Sequence, residues 1–173
     1  MRAVGAEPDV AETVAAAIVD WRDPDDLTQP RGGAEDPQYA AAGLPWGAKD
    51  APFETVAEVE QVLGMTPALY ARLAGHLTIF SGLPIADARV ATGAVLQSMG
   101  VDPAPVLADR ERPPRPGDPS FVGAGSGTYS IDSRARLRDG RESGLRAVVR
   151  LGPSGVPGSA FTVMRWEEGA SPR

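Results

Sequence analysis

The hydrophobic repeat of this chain changes period partway along, and that change limits the folds open to it. Up to about residue 110 apolar side chains recur every three or four positions, the spacing of a helix face, whereas from Thr128 onward they alternate, as in a strand. Between the two lies Glu111 to Ser120, with four prolines in ten residues, a stiff connector that favours polyproline II geometry. Such a chain is neither one continuous bundle nor one continuous sandwich. It is α+β, with helices and strands segregated.

The helical part is well punctuated. Val10, Val14, Ala17, Ile18 and Trp21 predict one apolar face on a helix over Glu7 to Trp21, and Pro24 ends it. Asp23 to Asp50 then reads as a long irregular segment with four prolines and four glycines. Connections of this length are usually functional, disordered or held by something other than a core. Thr55 and Glu58 form a T-x-x-E capping box, with Val56, Val59, Val62 and Leu63 as the buried stripe and Gly64 as a left-handed stop. Thr66 followed by Pro67 opens a second helix whose apolar face is Leu69, Tyr70, Leu73 and Leu77. A third helix is predicted over Asp87 to Met99, and a short fourth from Asp102-Pro103 to near Arg110. The resulting organisation is a helix at 1–22, an acidic loop at 23–53, a helical domain at 54–110, a linker at 111–120 and strands at 121–173.

In the strand region Tyr129, Ile131, Ser133, Ala135 and Leu137 share one face, and Ser130, Asp132, Arg134 and Arg136 share the other. Asp139-Gly140 is a turn signal, Leu145 to Leu151 and Phe161 to Trp166 are further strands, and Gly152 to Ser159 connects them. Three antiparallel strands are the minimum for a stable sheet, and their oily face needs a cover that the strands themselves do not supply.

Composition excludes several chemistries. The chain has no cysteine, so disulfides, thiolate nucleophiles and thiolate zinc sites are absent. No stretch approaches the ~18 apolar residues of a membrane span, and Met1 to Glu12 lacks the pattern of a signal peptide. The one histidine, His76, has no elbow motif to support a serine-hydrolase site. Gly123-Ala-Gly125-Ser-Gly127 precedes a strand and has no P-loop lysine, so it reads as an entry into the sheet rather than a phosphate cradle. Leu63-Gly64-Met65-Thr66 resembles a helix–hairpin–helix turn, the rival reading being a nucleic-acid-binding module. The 61–108 stretch around it holds only Arg72 and Arg89 against Asp87 and Asp102, too few cations to neutralise phosphates.

Charge is concentrated at the front. Residues 1–60 carry 13 acids and 4 bases, and six of those acids, Asp20, Asp23, Asp25, Asp26, Glu35 and Asp36, fall within 17 residues. Two readings of this run stand open: a solvated acidic loop, and a site for a hard cation such as calcium, which takes six to eight oxygen ligands on pliable loops. The spacing is not that of an EF-hand, since position 12 counted from Asp23 is Ala34. A hydrolase working through these carboxylates has only their number in its favour.

Asp20-Trp21-Arg22-Asp23-Pro24-Asp25-Asp26, then Gly33-Ala34-Glu35-Asp36 and Tyr39, resembles the D-W-x-D-x-D … G-A-E-D-x-x-Y signature of the general secretion pathway protein K family, the minor pseudopilin K of type II secretion systems. The run from Val56 to Leu77, with Glu58-Val59, Val62-Leu63-Gly64-Met65-Thr66, Leu69-Tyr70 and Leu73, resembles the same family's following segment, and the likeness covers about residues 13 to 110 well and the C-terminal strands loosely. The resemblance implies a non-enzymatic subunit at the tip of a periplasmic pseudopilus, on the outer side of the bacterial inner membrane. It implies a SAM-like or helix–hairpin–helix-like helical insert beside a small pilin-like antiparallel sheet, assembly with other minor pseudopilins, no nucleic-acid partner, and calcium in the acidic region. The ligands carried across are Asp23, Asp25, Asp26, Glu35 and Asp36, with Asp20 at the helix end beside them. The family's N-terminal pilin helix, its only link to the membrane, has no counterpart in this sequence, which fits a truncated gene product. In place of the family's asparagine-rich N-x-N-T-A step stands Ala86-Asp87-Ala88-Arg89-Val90-Ala91-Thr92.

Overall fold

A computed structural model describes residues 1–112, 127–152 and 159–169. Most of the linker read at 111–120, and Gly123 and Gly125 of the glycine-rich run, lie outside the described residues, as does most of the Gly152 to Ser159 connection. The chain divides into two compact units, one of residues 1–79 with 86–112, the other of residues 80–85 with 113–173. Residues 80–85, inside the stretch read as helical, thus group with the strands.

The first unit is helical. Helix α1 spans Pro8–Arg22 and buries Ala11, Val14, Ala17, Asp20 and Trp21. Val10, expected on the buried face, is 44 % exposed, because the face is centred one position further on, through Ala11. The acidic segment is not wholly irregular: α2 occupies Asp36–Ala41. Its start is fixed locally, since the Gln38 side-chain oxygen accepts from the Glu35 backbone N–H at 3.0 Å and Pro37 sits in the first turn.

The capping box forms as expected, with Glu58 N–H donating to Thr55 Oγ1 at 3.3 Å and Thr55 N–H to Glu58 Oε1 at 2.8 Å. The helix it opens is a 3-10 turn, Val56–Gln61, rather than an α-helix. Gly64 is left-handed at φ 83, and Thr66 caps α3, Pro67–Leu73, by accepting from Leu69 N–H at 3.2 Å. The third predicted helix is shorter than expected. Asp87 takes Arg89 N–H onto its side chain and Val90 and Ala91 N–H onto its carbonyl, a local turn that competes with helix, and α4 begins only at Gly93 and ends at Ser98. Helix α5, Pro103–Glu111, is capped by Asp102, which accepts from Ala104 N–H at 3.0 Å.

The core of this unit has two linked clusters. Ala17, Trp21, Ala34, Tyr39 and Val62 form one, Val14, Leu69 and Leu73 the other, and Ile18 and Met65 pack against both.

The second unit is an antiparallel sheet in the order β1 (Thr128–Arg136), β2 (Glu142–Leu151), β3 (Phe161–Glu168). The β1–β2 hairpin turns at Asp139-Gly140, with Gly140 at φ 86, and its register runs from Thr128 opposite Arg150 to Arg136 opposite Glu142. A bulge lies between Val148 and Val149 where β2 pairs β3. The oily face is open as expected: Ile131 is 45 % exposed, Phe161 47 %, Val163 45 % and Trp166 56 %. Residues 80–85 join this unit through the Phe80 carbonyl, which accepts from Arg150 Nη2 at 2.8 Å.

Candidate metal centre

Three of the six carboxylates singled out in the sequence come together. One oxygen each of Asp20, Asp23 and Glu35 lies within 4.8 Å of the other two. Asp20 and Asp23 are placed by the end of α1, where the last turn directs one inward and the next residue out of the helix lets the chain reverse. Glu35 is placed by the start of α2.

Asp20 is completely buried, because it shares a helix face with Ala17 and Trp21. Its two oxygens accept the Gln29 backbone N–H at 3.1 and 3.2 Å, which wraps the loop over it. Gly33 permits that wrap. A Cβ there would stand 2.3 Å from Asp20 Oδ2 and 2.5 Å from the Gln29 nitrogen. Glu35 is 4 % exposed. Two buried oxygens in the group, Asp23 Oδ1 and Glu35 Oε1, have no hydrogen-bond partner.

The electrostatics are correspondingly unfavourable to anions. Burial, followed by the charges of Asp20, Asp50, Asp23 and Asp26, raises the Glu35 carboxyl to about 7. Asp23 is also raised, by burial and by Asp25, Asp20 and Asp50, with only Arg22 opposing. The C-terminal end of α1 adds its own partial negative charge at Asp20 and Asp23. Among the described residues no ion pair reaches Asp20, Asp23 or Glu35. Buried carboxylates are ordinarily paired or bound to metal. A cluster of oxygen donors with orphaned buried oxygens and no cation fits a hard divalent ion, and the absence of sulfur and imidazole donors favours calcium over softer metals.

The domain that carries this centre has relatives. Residues 1–82 match the family model for the first domain of protein K of the type II secretion system. Over those residues the chain is similar to protein K of the type II secretion system. Type II secretion system protein K from Pectobacterium carotovorum subsp. carotovorum is 36 % identical over 73 residues, 42 % of this chain. The chain spans 22 % of that relative's length. The fold is also that of a chain in the crystal structure of the GspK–GspI–GspJ complex from the type II secretion system of enterotoxigenic Escherichia coli, with a TM-score of 0.67 and 20 % identity over 98 % of this chain and 68 % of the other.

The other carboxylates lie outside the group. Asp25 is exposed and accepts Leu27 N–H at 2.9 Å, closing its own turn. Asp26 is exposed but its charge is felt at Glu35. Asp36 is exposed at the head of α2 with its carboxylate against Gly47, where a Cβ would come within 1.7 Å of it. Asp50, whose charge acts on both Asp23 and Glu35, was not singled out in the sequence. It lies 15 residues past Glu35 in the chain, and only the return of the loop makes it a neighbour.

Proposed function

We propose that this chain is a calcium-stabilised, non-catalytic portion of minor pseudopilin K that assembles with other minor pseudopilins at the tip of the type II secretion pseudopilus, on the periplasmic side of the inner membrane. The observation that carries the metal half is the pair of buried, unpartnered oxygens on Asp23 and Glu35 beside fully buried Asp20. Asp20, Asp23 and Glu35 would hold the ion, with Asp50, Asp26, Asp25 and Asp36 supplying further negative charge or ligands around it. The bound ion would neutralise their mutual repulsion and join the end of α1 to the start of α2. No helix among the described residues is long and apolar enough to cross a membrane.

Titrating metal-free protein with calcium tests the first half. Heat release and a rise in melting temperature are expected, and both should vanish in Asp23→Asn and Glu35→Gln. No heat and no rise at millimolar calcium would overturn it. The assembly half is tested by mixing the chain with the GspI and GspJ proteins of the same system. Co-elution as a ternary complex in size-exclusion chromatography is expected; separate elution of all three at micromolar concentrations would sink it.

A further inference from the structure

The acidic cluster is joined by packing to an element that holds no ligand. Tyr39 of α2 is fully buried, four residues after Glu35, and its hydroxyl oxygen accepts the Leu63 backbone N–H at 3.0 Å. Leu63 lies in the turn between the 3-10 helix Val56–Gln61 and α3, where Met65 N–H also bonds the Val62 carbonyl at 3.0 Å. The Tyr39 ring lies 5.9 Å from that of Trp21, which follows Asp20 on α1 and stacks 6.3 Å from Phe53. Val62 packs into the same cluster as Trp21, Ala34 and Tyr39. Residues adjoining two of the three carboxylates, Trp21 beside Asp20 and Ala34 beside Glu35, thus share one dry core with the turn.

We infer that Tyr39 is a positioning residue that ties occupancy of the acidic cluster to the Val62–Met65 turn, so that calcium fixes the hairpin made by Val56–Gln61 and α3. The physical reason is that α2 has only six residues. So short a helix has little stability of its own and takes its position from its ends. Its N-terminal end follows Glu35, which an unpaired charge tends to push out towards water. Drawing Glu35 inward onto a cation sets the depth of α2 and therefore the place of the Tyr39 hydroxyl. The half-buried Leu63 N–H has no other partner among the described residues, so losing the hydroxyl leaves a partly desolvated amide unpaired. The hairpin is then a metal-set surface rather than a fixed one.

This inference rests on the calcium reading, and hydrogen exchange of the full chain separates the two. With calcium chloride at about a hundred times its Kd, amides whose opening breaks the site should exchange up to ~100-fold more slowly than in chelator, and uncoupled amides should not change. The expected result is slowing in both the 29–35 loop and the Leu63 and Met65 amides, with Leu96 of α4 much less affected. Slowing in the loop alone overturns the coupling and leaves calcium binding intact. Slowing in neither overturns both. Equal slowing that includes Leu96 means general stabilisation and also overturns the coupling. In Tyr39→Phe the loop should still respond to calcium while Leu63 and Met65 do not; a retained response there would remove the hydroxyl from the link. Should that variant fail to fold, the wild-type profile still decides.

Discussion

The two units treat charge and apolar surface in opposite ways. In the helical unit apolar side chains are buried around Trp21, Tyr39 and Val62, while carboxylates at Asp20 and Glu35 are buried with them and have no ion pair among the described residues. In the sheet unit Arg146 is matched by Asp132 and Glu167, which flank it on one face, and it is the apolar residues Ile131, Phe161, Val163 and Trp166 that stand open. Each unit therefore leaves one kind of group unsatisfied by its own described side chains. Among the described residues the first has buried carboxylates without a cation and the second an apolar face without a cover, and those are different requirements.

The same residue type should report the difference most strongly. Trp21 is 4 % exposed and Trp166 is 56 % exposed. Trp21→Ala should cost about 3–5 kcal/mol in urea unfolding, and Trp166→Ala should stay within about 0.5 kcal/mol of the parent. Equal losses would mean that the sheet face is covered in solution and would break the contrast.

Calcium should act on the helical unit by a comparable amount, with a pH dependence set by Glu35. Its carboxyl is raised in the folded state to about 7 from an ordinary 4.5. Metal-free protein therefore binds a proton that the unfolded chain gives up earlier. That contribution is fully present below the ordinary value and is lost as pH rises through the folded one. Melting of the metal-free protein should accordingly fall from pH 5 to pH 8. Calcium competes with the same proton, so its stabilisation, about 2.7 kcal/mol at a hundred times Kd, should be complete near pH 8 and small at pH 5. A calcium shift in melting temperature that is independent of pH would remove Glu35 from the site.

Gly33→Ala sharpens the same point at the loop. The added Cβ meets the Gln29 backbone as well as Asp20, so the loop must move, at a cost of about 1–3 kcal/mol. Gly47→Ala meets only the Asp36 carboxylate at close range, a side-chain end that can rotate away, and should cost less. Denaturant midpoints for the two variants check the order.

These sites also show where sequence was sufficient. Thr55 with Glu58, Gly64, Thr66 with Pro67 and Asp139-Gly140 act through neighbours within a few residues, so their turns and caps could be read directly from the chain. Thr66→Ala should accordingly cost about 1 kcal/mol of stability by urea unfolding. Helix α2 carried a local signal too, Gln38 three residues after Glu35 with Pro37 between, masked by the surrounding prolines and charges. The burial of Asp20 follows from its spacing of three after Ala17, but a carboxylate on an apolar stripe is ordinarily assigned to solvent. Asp50 had no local signal at all. Its charge reaches Glu35 only because the loop returns, and that is a property of the packed core rather than of any short window. The same holds for Asp25, Asp26 and Asp36, which the run of acids put in one set with Asp20, Asp23 and Glu35 although each side chain points according to its own turn.

The smallest expected effect is the one whose sign best separates the units. Arg146 Nε donates to Asp132 Oδ1 at 2.7 Å, with the Asp132 side chain 52 % exposed. Asp132→Asn should destabilise by only about 0.2–1 kcal/mol, because an exposed pair gains little over water and Glu167 remains near Arg146. The loss should shrink further as salt screens the pair. The chemically equivalent Glu35→Gln, in metal-free protein at pH 8, should go the other way and raise the melting temperature, since it removes a charge that burial and four other carboxylates oppose. Neutralising an acid therefore weakens the sheet unit and strengthens the helical one. If both substitutions destabilised the metal-free protein, Glu35 would be held by interactions of its own, and an external cation would no longer be needed to explain its burial.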